Sequence, residues 1–179
     1  MTLQFTLFSQ EVEDFVLEIL TDADATFADL QMLILNTCRY VEHPKQLFIV
    51  CDEDWHARQR ILVSDEGISS DEDVYLMNET PLRDFIEEEG QHMAFRFDPE
   101  DKRHFLLEVT ECSFGNPVDE PTITRRHGQA PDQFLFEEEP TPIQPVVQPI
   151  QAEDANEFYG DDSFEEGELD EEGFEIEER

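Results

Sequence analysis

The chain has 179 residues, of which 46 are Asp or Glu and 11 are Lys or Arg, and its net charge is -35. This charge disfavours direct binding to nucleic acid, which needs Lys and Arg to displace counterions from phosphates, and it disfavours anionic membrane surfaces. Hydrophobic residues make up 39% of the chain, which predicts a folded domain diluted by a polar segment.

The negative charge is divided almost evenly along the chain. From Asp132 onward there are 18 acidic residues and one basic residue, Arg179, which gives -17, and the first 131 residues carry the other -18. The segment after residue 115 contains one cluster of basic residues, Arg125-Arg126-His127. We therefore expect the surface of the folded part to be acidic as well and to attract basic proteins.

The cysteines and the apolar segments indicate the compartment. Cys38, Cys51 and Cys112 are odd in number, widely spaced and outside any CxxC motif, so we expect small buried side chains in a reducing environment. No basic leader segment and no long apolar run is present. The sequence predicts a cytoplasmic protein without a membrane span and without a cofactor.

The first elements in chain order are a hairpin and a helix. Residues 2–9 alternate apolar and polar positions, and residues 14–20 form a second apolar segment, which predicts two paired strands. Thr26 is the expected N-cap of the helix, with Asp29 in the capping-box position. The apolar stripe of this helix comprises Phe27, Leu30, Leu33, Ile34 and Cys38.

The middle of the chain predicts further strands. Residues 46–51 form an apolar strand in the centre of the sheet, and residues 55–63 form the next one after an acidic turn at Asp52–Asp54. Residues 74–77 are a short strand or a turn.

A second helix and a second hairpin complete the predicted domain. Thr80 and Pro81 are typical of a helix start, and Gly90 is typical of a helix end. Residues 92–98 and 104–110 alternate again and predict paired strands.

These elements predict an α+β fold with a mixed or antiparallel sheet of about six strands and two packed helices, within residues 1–114. Residues 115–152 are rich in proline and predict a mostly disordered linker. Residues 153–179 predict a disordered acidic tail, because they have too little apolar area to offset the entropy of ordering.

No catalytic motif is present in the chain. It lacks GxSxG, a Gly-rich phosphate loop and HExxH. His92 and His104 lie on the two strands of the last hairpin, and with Asp98 or Asp101 they could form a metal site. We interpret both histidines as structural or surface residues, because no third ligand has suitable spacing.

The acidic tail contains apolar anchors that a purely solubilising segment does not need. They are Phe158, Tyr159, Phe164, Leu169, Phe174 and Ile176. Acidic-hydrophobic alternation is typical of interaction segments, but a solubilising tail with incidental aromatic residues fits the same composition. Both interpretations stay open.

Three segments within residues 3–111 carry a resemblance to a known family. They are TFADLQMLILNTCRY, LFIVCDEDW and PLRDFIEEEGQHMAFRFDPEDKRHFLLEV. In order and local pattern they resemble the plasmid Ri open-reading-frame-three-like family, which includes transposon-passenger proteins. In the last segment Phe97, Asp98 and Asp101 match the family's hairpin turn, whereas Pro99 and Glu100 depart from it. The resemblance implies a fold more than a function.

The sequence therefore predicts a non-catalytic protein-binding or accessory module whose partner is basic or presents an apolar groove. The candidate binding residues are Asp98 and Asp101 of the hairpin turn and the six anchors of the tail. One alternative is a metal-binding protein or hydrolase that uses the hairpin turn. The other is an acidic inhibitor that mimics nucleic acid.

Overall fold

A computed structural model of the protein describes residues 1–66 and 73–135. Within these residues it contains one α-helix and eight strands. They are β1 (Thr2–Ser9), β2 (Val16–Asp22), α1 (Phe27–Cys38), β3 (Leu47–Cys51), β4 (Ala57–Leu62), β5 (Tyr75–Leu76), β6 (His92–Asp98), β7 (Arg103–Ser113) and β8 (Thr122–His127). No helix in the described part of the chain is long and apolar enough to cross a membrane.

All eight strands belong to one sheet, in the order β5-β4-β3-β6-β7-β1-β2-β8. Neighbouring strands are antiparallel except β4 and β5, which are parallel, so the sheet is mixed. The predicted α+β class and both predicted hairpins, β1–β2 and β6–β7, are confirmed. Strand β3 lies inside the sheet between β4 and β6, as its apolar sequence predicted.

Helix α1 packs against one face of the sheet, which we call the helix-covered face. This face carries the fully buried side chains of alternate strand positions. Aromatic residues dominate it: the ring centroids of Phe48 and Phe95 are 4.7 Å apart, and those of Phe97 and Phe105 are 4.5 Å apart. The core also includes Leu3, Phe5, Leu7, Leu17, Ile19, Leu107 and Val109.

The start of α1 agrees with the sequence in detail. Thr26 Oγ1 accepts a hydrogen bond from the Asp29 N–H, and the Asp29 carboxylate accepts one from the Thr26 N–H, which completes the predicted capping box. Of the predicted stripe, Phe27, Leu30 and Ile34 are buried, whereas Leu33 and Cys38 are partly buried.

Helix α1 also buries a polar side chain that its apolar pattern did not indicate. The Gln31 Nε2 group donates to Gln46 Oε1 at 2.9 Å, and the Gln46 Nε2 group donates to the main-chain oxygen of Phe97. Because Gln31 donates to Gln46 and Gln46 donates to main-chain oxygens, the polar residue is tolerated inside the core.

The prediction of a second α-helix is wrong. After Thr80–Pro81 the chain forms only a short 3₁₀ turn at Leu82–Asp84. The Gln91 Oε1 atom accepts hydrogen bonds from the N–H groups of Glu87 and Glu88, which turns the chain away from a helical path. Consecutive glutamates at a helix C-terminus would also face the negative end of the helix dipole.

The prediction of about six strands is also wrong, because the described residues contain eight. Strand β5 has only two residues, and β8 lies in the segment predicted as a mostly disordered linker from residue 115. Strand β8 pairs with β2, whose outer N–H and C=O groups would otherwise lack sheet partners. Its exposed sequence, TITRRH, has no apolar alternation, so only the pairing with β2 identifies it as a strand.

Candidate functional site

The hairpin turn between β6 and β7 contains two of the predicted binding residues. Asp98 is 1% exposed, and its carboxylate accepts hydrogen bonds from the N–H groups of Glu100 and Asp101 at 3.2 and 3.5 Å. Such bonds from an aspartate to the following N–H groups stabilise a turn. The Asp98 carboxylate therefore maintains the turn, whereas Asp101 is exposed and contributes its main chain to it.

Asp98 is also part of an ion-pair network around Arg103. The Arg103 guanidinium binds Glu11 with two bonds of 2.8 and 2.6 Å and contacts the Asp98 carboxylate at 3.3 Å. It also donates to the main-chain oxygens of Asp132 and Gln133 at 2.9 and 3.0 Å. The bonds to Glu11, and to a lesser extent the contact with Asp98, raise the pKa of Arg103. With its donors engaged in this way, Arg103 joins three segments of the chain and is not open to a ligand.

The two hairpin histidines do not form a metal site with the aspartates. Both lie on the sheet face opposite α1, where His92 is opposite Glu108 and His104 is opposite Arg96. Four residues along a strand separate the two pairs by about 13 Å. Among residues 1–66 and 73–135, no group of three or more His, Cys, Asp or Glu side chains is arranged to hold a metal ion.

The other six predicted binding residues lie outside the described residues. They are Phe158, Tyr159, Phe164, Leu169, Phe174 and Ile176.

The sheet face opposite α1 is different in character, and we call it the open face. It carries the alternate side chains of the central strands, all of which are partly exposed except Ala94. They are Ile49 and Cys51 on β3, Ala94 and Arg96 on β6, and His104 and Leu106 on β7. No described helix packs on this face, so its side chains are accessible to a ligand.

A cavity of about 410 Å³ lies on the open face, and we call it the open-face cavity. Its apolar walls come from Ile49, Cys51, Trp55, Ala57, Ala94 and Leu106, and its polar rim from Gln10, Arg96, Lys102 and His104. Its volume falls in the range of about 300–1,000 Å³ that is common for small-molecule sites.

Trp55 reaches the cavity from the acidic turn between β3 and β4. Its backbone has a φ of 64°, which is unusual for a bulky residue, and its indole stacks on the His92 ring at a centroid distance of 4.0 Å. Phe8 approaches the indole edge-on at 6.2 Å. The turn therefore places one aromatic wall beside the cavity, although the sequence analysis extended a strand through this residue.

Two cations line this apolar region, and a third lies on the same face of the sheet. Arg96 and Lys102 line the open-face cavity, whereas Arg60 on β4, opposite Ile49, lines a neighbouring cavity that shares Ala57 with it. Within the described residues none of these three forms an ion pair, and neither do Arg39, Lys45 and Arg126.

Arg96 is the most constrained of these cations. Its Nε atom is buried and forms no hydrogen bond with any residue that the structure describes. Burial lowers the pKa of its guanidinium, and the neighbouring charge of Arg60 lowers it further. A buried donor without a partner is costly, so an acceptor at this place would stabilise the arrangement.

The sequence does not reveal these cations as neighbours, because Arg60 is far from Arg96 and Lys102 in the chain. A signal was present in the alternation of residues 92–98, where Met93, Phe95 and Phe97 define one face and leave Arg96 on the other. What could not be seen was that β4 places Arg60 beside it.

The comparisons with known proteins give a fold relationship. No family model matches the chain, and no curated protein matches it. A crystal structure of a protein of unknown function from Methanosarcina mazei Go1 matches with a TM-score of 0.53 and 13% identity over 70% of this chain and 68% of that chain. At this identity the match shows a similar fold alone, and the resemblance to the plasmid Ri open-reading-frame-three-like family stays a prediction.

Proposed function

We propose that this protein is a non-catalytic binding module and that the open-face cavity is a binding site. One observation carries the proposal: a sheet face that no described helix covers has an apolar cavity bordered by cations without acidic partners. Apolar walls with a few polar groups at the rim are the usual composition of a ligand site.

The hairpin turn supports the non-catalytic interpretation. The Asp98 carboxylate is buried and already accepts hydrogen bonds and an ion pair, so it is poorly placed to act as a base or a metal ligand. The alternative of a hydrolase or metal-binding protein at this turn therefore has little support.

The remaining sequence predictions belong to the same proposal. A basic or groove-presenting protein partner, bound through the tail anchors or the acidic surface, would act separately from the open-face cavity, whose rim is cationic. The nucleic-acid mimic stays a second prediction based on charge. A cytoplasmic location is supported by the three free thiols of Cys38, Cys51 and Cys112.

The test of a binding site is saturable uptake of an uncharged apolar dye, phenylnaphthylamine, measured by its fluorescence in the full-length protein. We expect one class of sites. The variant Ala57→Trp should weaken dye binding at least about tenfold by filling the cavity from an exposed position on β4. Leu106→Gln, which makes the wall polar, should also weaken it.

The matched control is Phe114→Ser, which removes an apolar side chain that is 81% exposed and does not line this cavity. It should leave dye binding unchanged. If the dye does not saturate, or if Ala57→Trp and Leu106→Gln bind it as the unaltered protein does, the open-face cavity is not a binding site.

A further inference from the structure

We propose that the ligand of the open-face cavity is an amphipathic organic anion, with its anionic group bound by Arg96 and Arg60 and its apolar part against the cavity walls. This inference rests on the proposed function and adds the chemistry of the ligand. The class is a carboxylate or a phosphate monoester that carries an aliphatic or aromatic body.

The first support is the position of the two guanidinium groups. Arg96 lies on β6, and Arg60 lies on β4, with only β3 between them, and both point to the open face. Burial lowers the pKa of Arg96, and the positive charge of Arg60 lowers it further. The two like charges repel each other, and an anion between them would reverse the sign of that interaction.

The second support is the unpaired donor of Arg96. Its Nε atom is buried beside the cavity and lacks a hydrogen-bond partner among the described residues. A guanidinium offers a planar fork of donors that matches the two oxygens of a carboxylate or phosphate. Lys102, with a φ of 55° at the end of the hairpin turn, adds a third positive charge to the same rim.

The third support is the apolar lining of the cavity. Ile49, Ala94 and Leu106 form walls beside Arg96, so a simple inorganic anion would leave most of the cavity unfilled.

The experiment compares two dyes with similar apolar bodies and different charge. Anilinonaphthalene sulfonate is an anion, whereas phenylnaphthylamine is its uncharged counterpart. We expect the anionic dye to bind the full-length protein at least about tenfold more tightly than the neutral one. Added NaCl should weaken binding of the anionic dye and leave the neutral dye nearly unchanged.

Variants then locate the anion. Arg96→Gln and Arg60→Gln should each reduce affinity for the anionic dye about tenfold and leave the neutral dye within about twofold. Arg96→Lys keeps the positive charge but loses the planar guanidinium donors, so its affinity for the anionic dye should lie between those of Arg96→Gln and the unaltered protein. Arg83→Gln is the matched control, because Arg83 is exposed and ion-paired away from the cavity. Thermal unfolding of each variant checks that it is folded.

Competition separates the two sources of the anionic group. Displacement of the dye by decanoate identifies a carboxylate ligand, displacement by decyl phosphate identifies a phosphate ester, and both outcomes support the proposal when decanol is much weaker. Equal affinity of the unaltered protein for the charged and neutral dyes, or an affinity for the anionic dye that folded Arg96→Gln leaves unchanged, would overturn the anion assignment and leave the binding site standing. Failure of both dyes to saturate would overturn the binding site itself.

Discussion

The two faces of the sheet are built from the same strands but differ in how far their side chains are buried. On β7, Phe105 is fully buried on the helix-covered face, whereas its neighbour Leu106 lies on the open face beside the cavity. On β6, Phe95 and Phe97 enter the core while Arg96 points to the other side. The comparison teaches that alternation along a strand allows one face to provide stability while the other remains available for binding.

The helix-covered face is closed by more than α1. The segment after β8 lies against it: the Tyr40 hydroxyl donates to the main-chain oxygen of Pro131, and the Gln133 side chain bonds to both the N–H and the C=O of Val41. Arg103 joins the same segment to Glu11 and Asp98. The open face has no comparable cover among the described residues.

The largest expected loss of stability comes from truncating one of two adjacent residues on β7 that point to opposite faces of the sheet. Phe105→Ala should lower the free energy of unfolding by about 3–5 kcal/mol, because it leaves a cavity among Phe15, Tyr40 and Phe97. Leu106→Ala should lower it by about 1 kcal/mol, because its side chain is already partly exposed. Urea unfolding measures both, and equal losses would show that the faces do not differ in this way.

A substitution of Arg103, which helps to close the helix-covered face, should lower the free energy of unfolding by about 3 kcal/mol. Arg103→Met removes the partner of Asp98, which is 1% exposed, and leaves a buried carboxylate without its counter-charge. Arg125→Met breaks an exposed ion pair with Glu18 and should cost less than about 1 kcal/mol. Binding of the dyes at the open face should be retained in both variants. A loss below about 1 kcal/mol for Arg103→Met would mean that this network does little to hold the fold.

The smallest expected loss of stability comes from a substitution in the segment that follows β8. Gly128 has a φ of 71°, and a Cβ there would overlap the main-chain carbonyl of Asp14. Gly115 also has a positive φ, of 104°, but a Cβ there would meet no atom within 4 Å. Gly128→Ala should therefore cost about 1–3 kcal/mol, and more than Gly115→Ala, which carries the backbone strain alone. Thermal unfolding compares them, and equal costs would show that the chain can shift to relieve the overlap.

Local signals predicted much of the fold. The alternation of residues 2–9 and 92–98 predicted two hairpins, and Thr26 with Asp29 predicted the start of α1, because these features depend on residues close together in the chain. The prediction of a second helix failed because the local start signal at Thr80–Pro81 was outweighed by hydrogen bonds that the N–H groups of Glu87 and Glu88 donate to Gln91. Strand β8 could not be predicted, because its partner is β2.

The sequence by itself determined the acidity of the chain, the face of each central strand that is apolar, and the beginning of the helix. Only the tertiary structure decided that the Asp98 carboxylate would contact Arg103 and that Arg60 and Arg96 would lie on the same face of the sheet. The physical reason is that charges act through space, so residues far apart in the chain interact only when the pairing of strands brings them to one face.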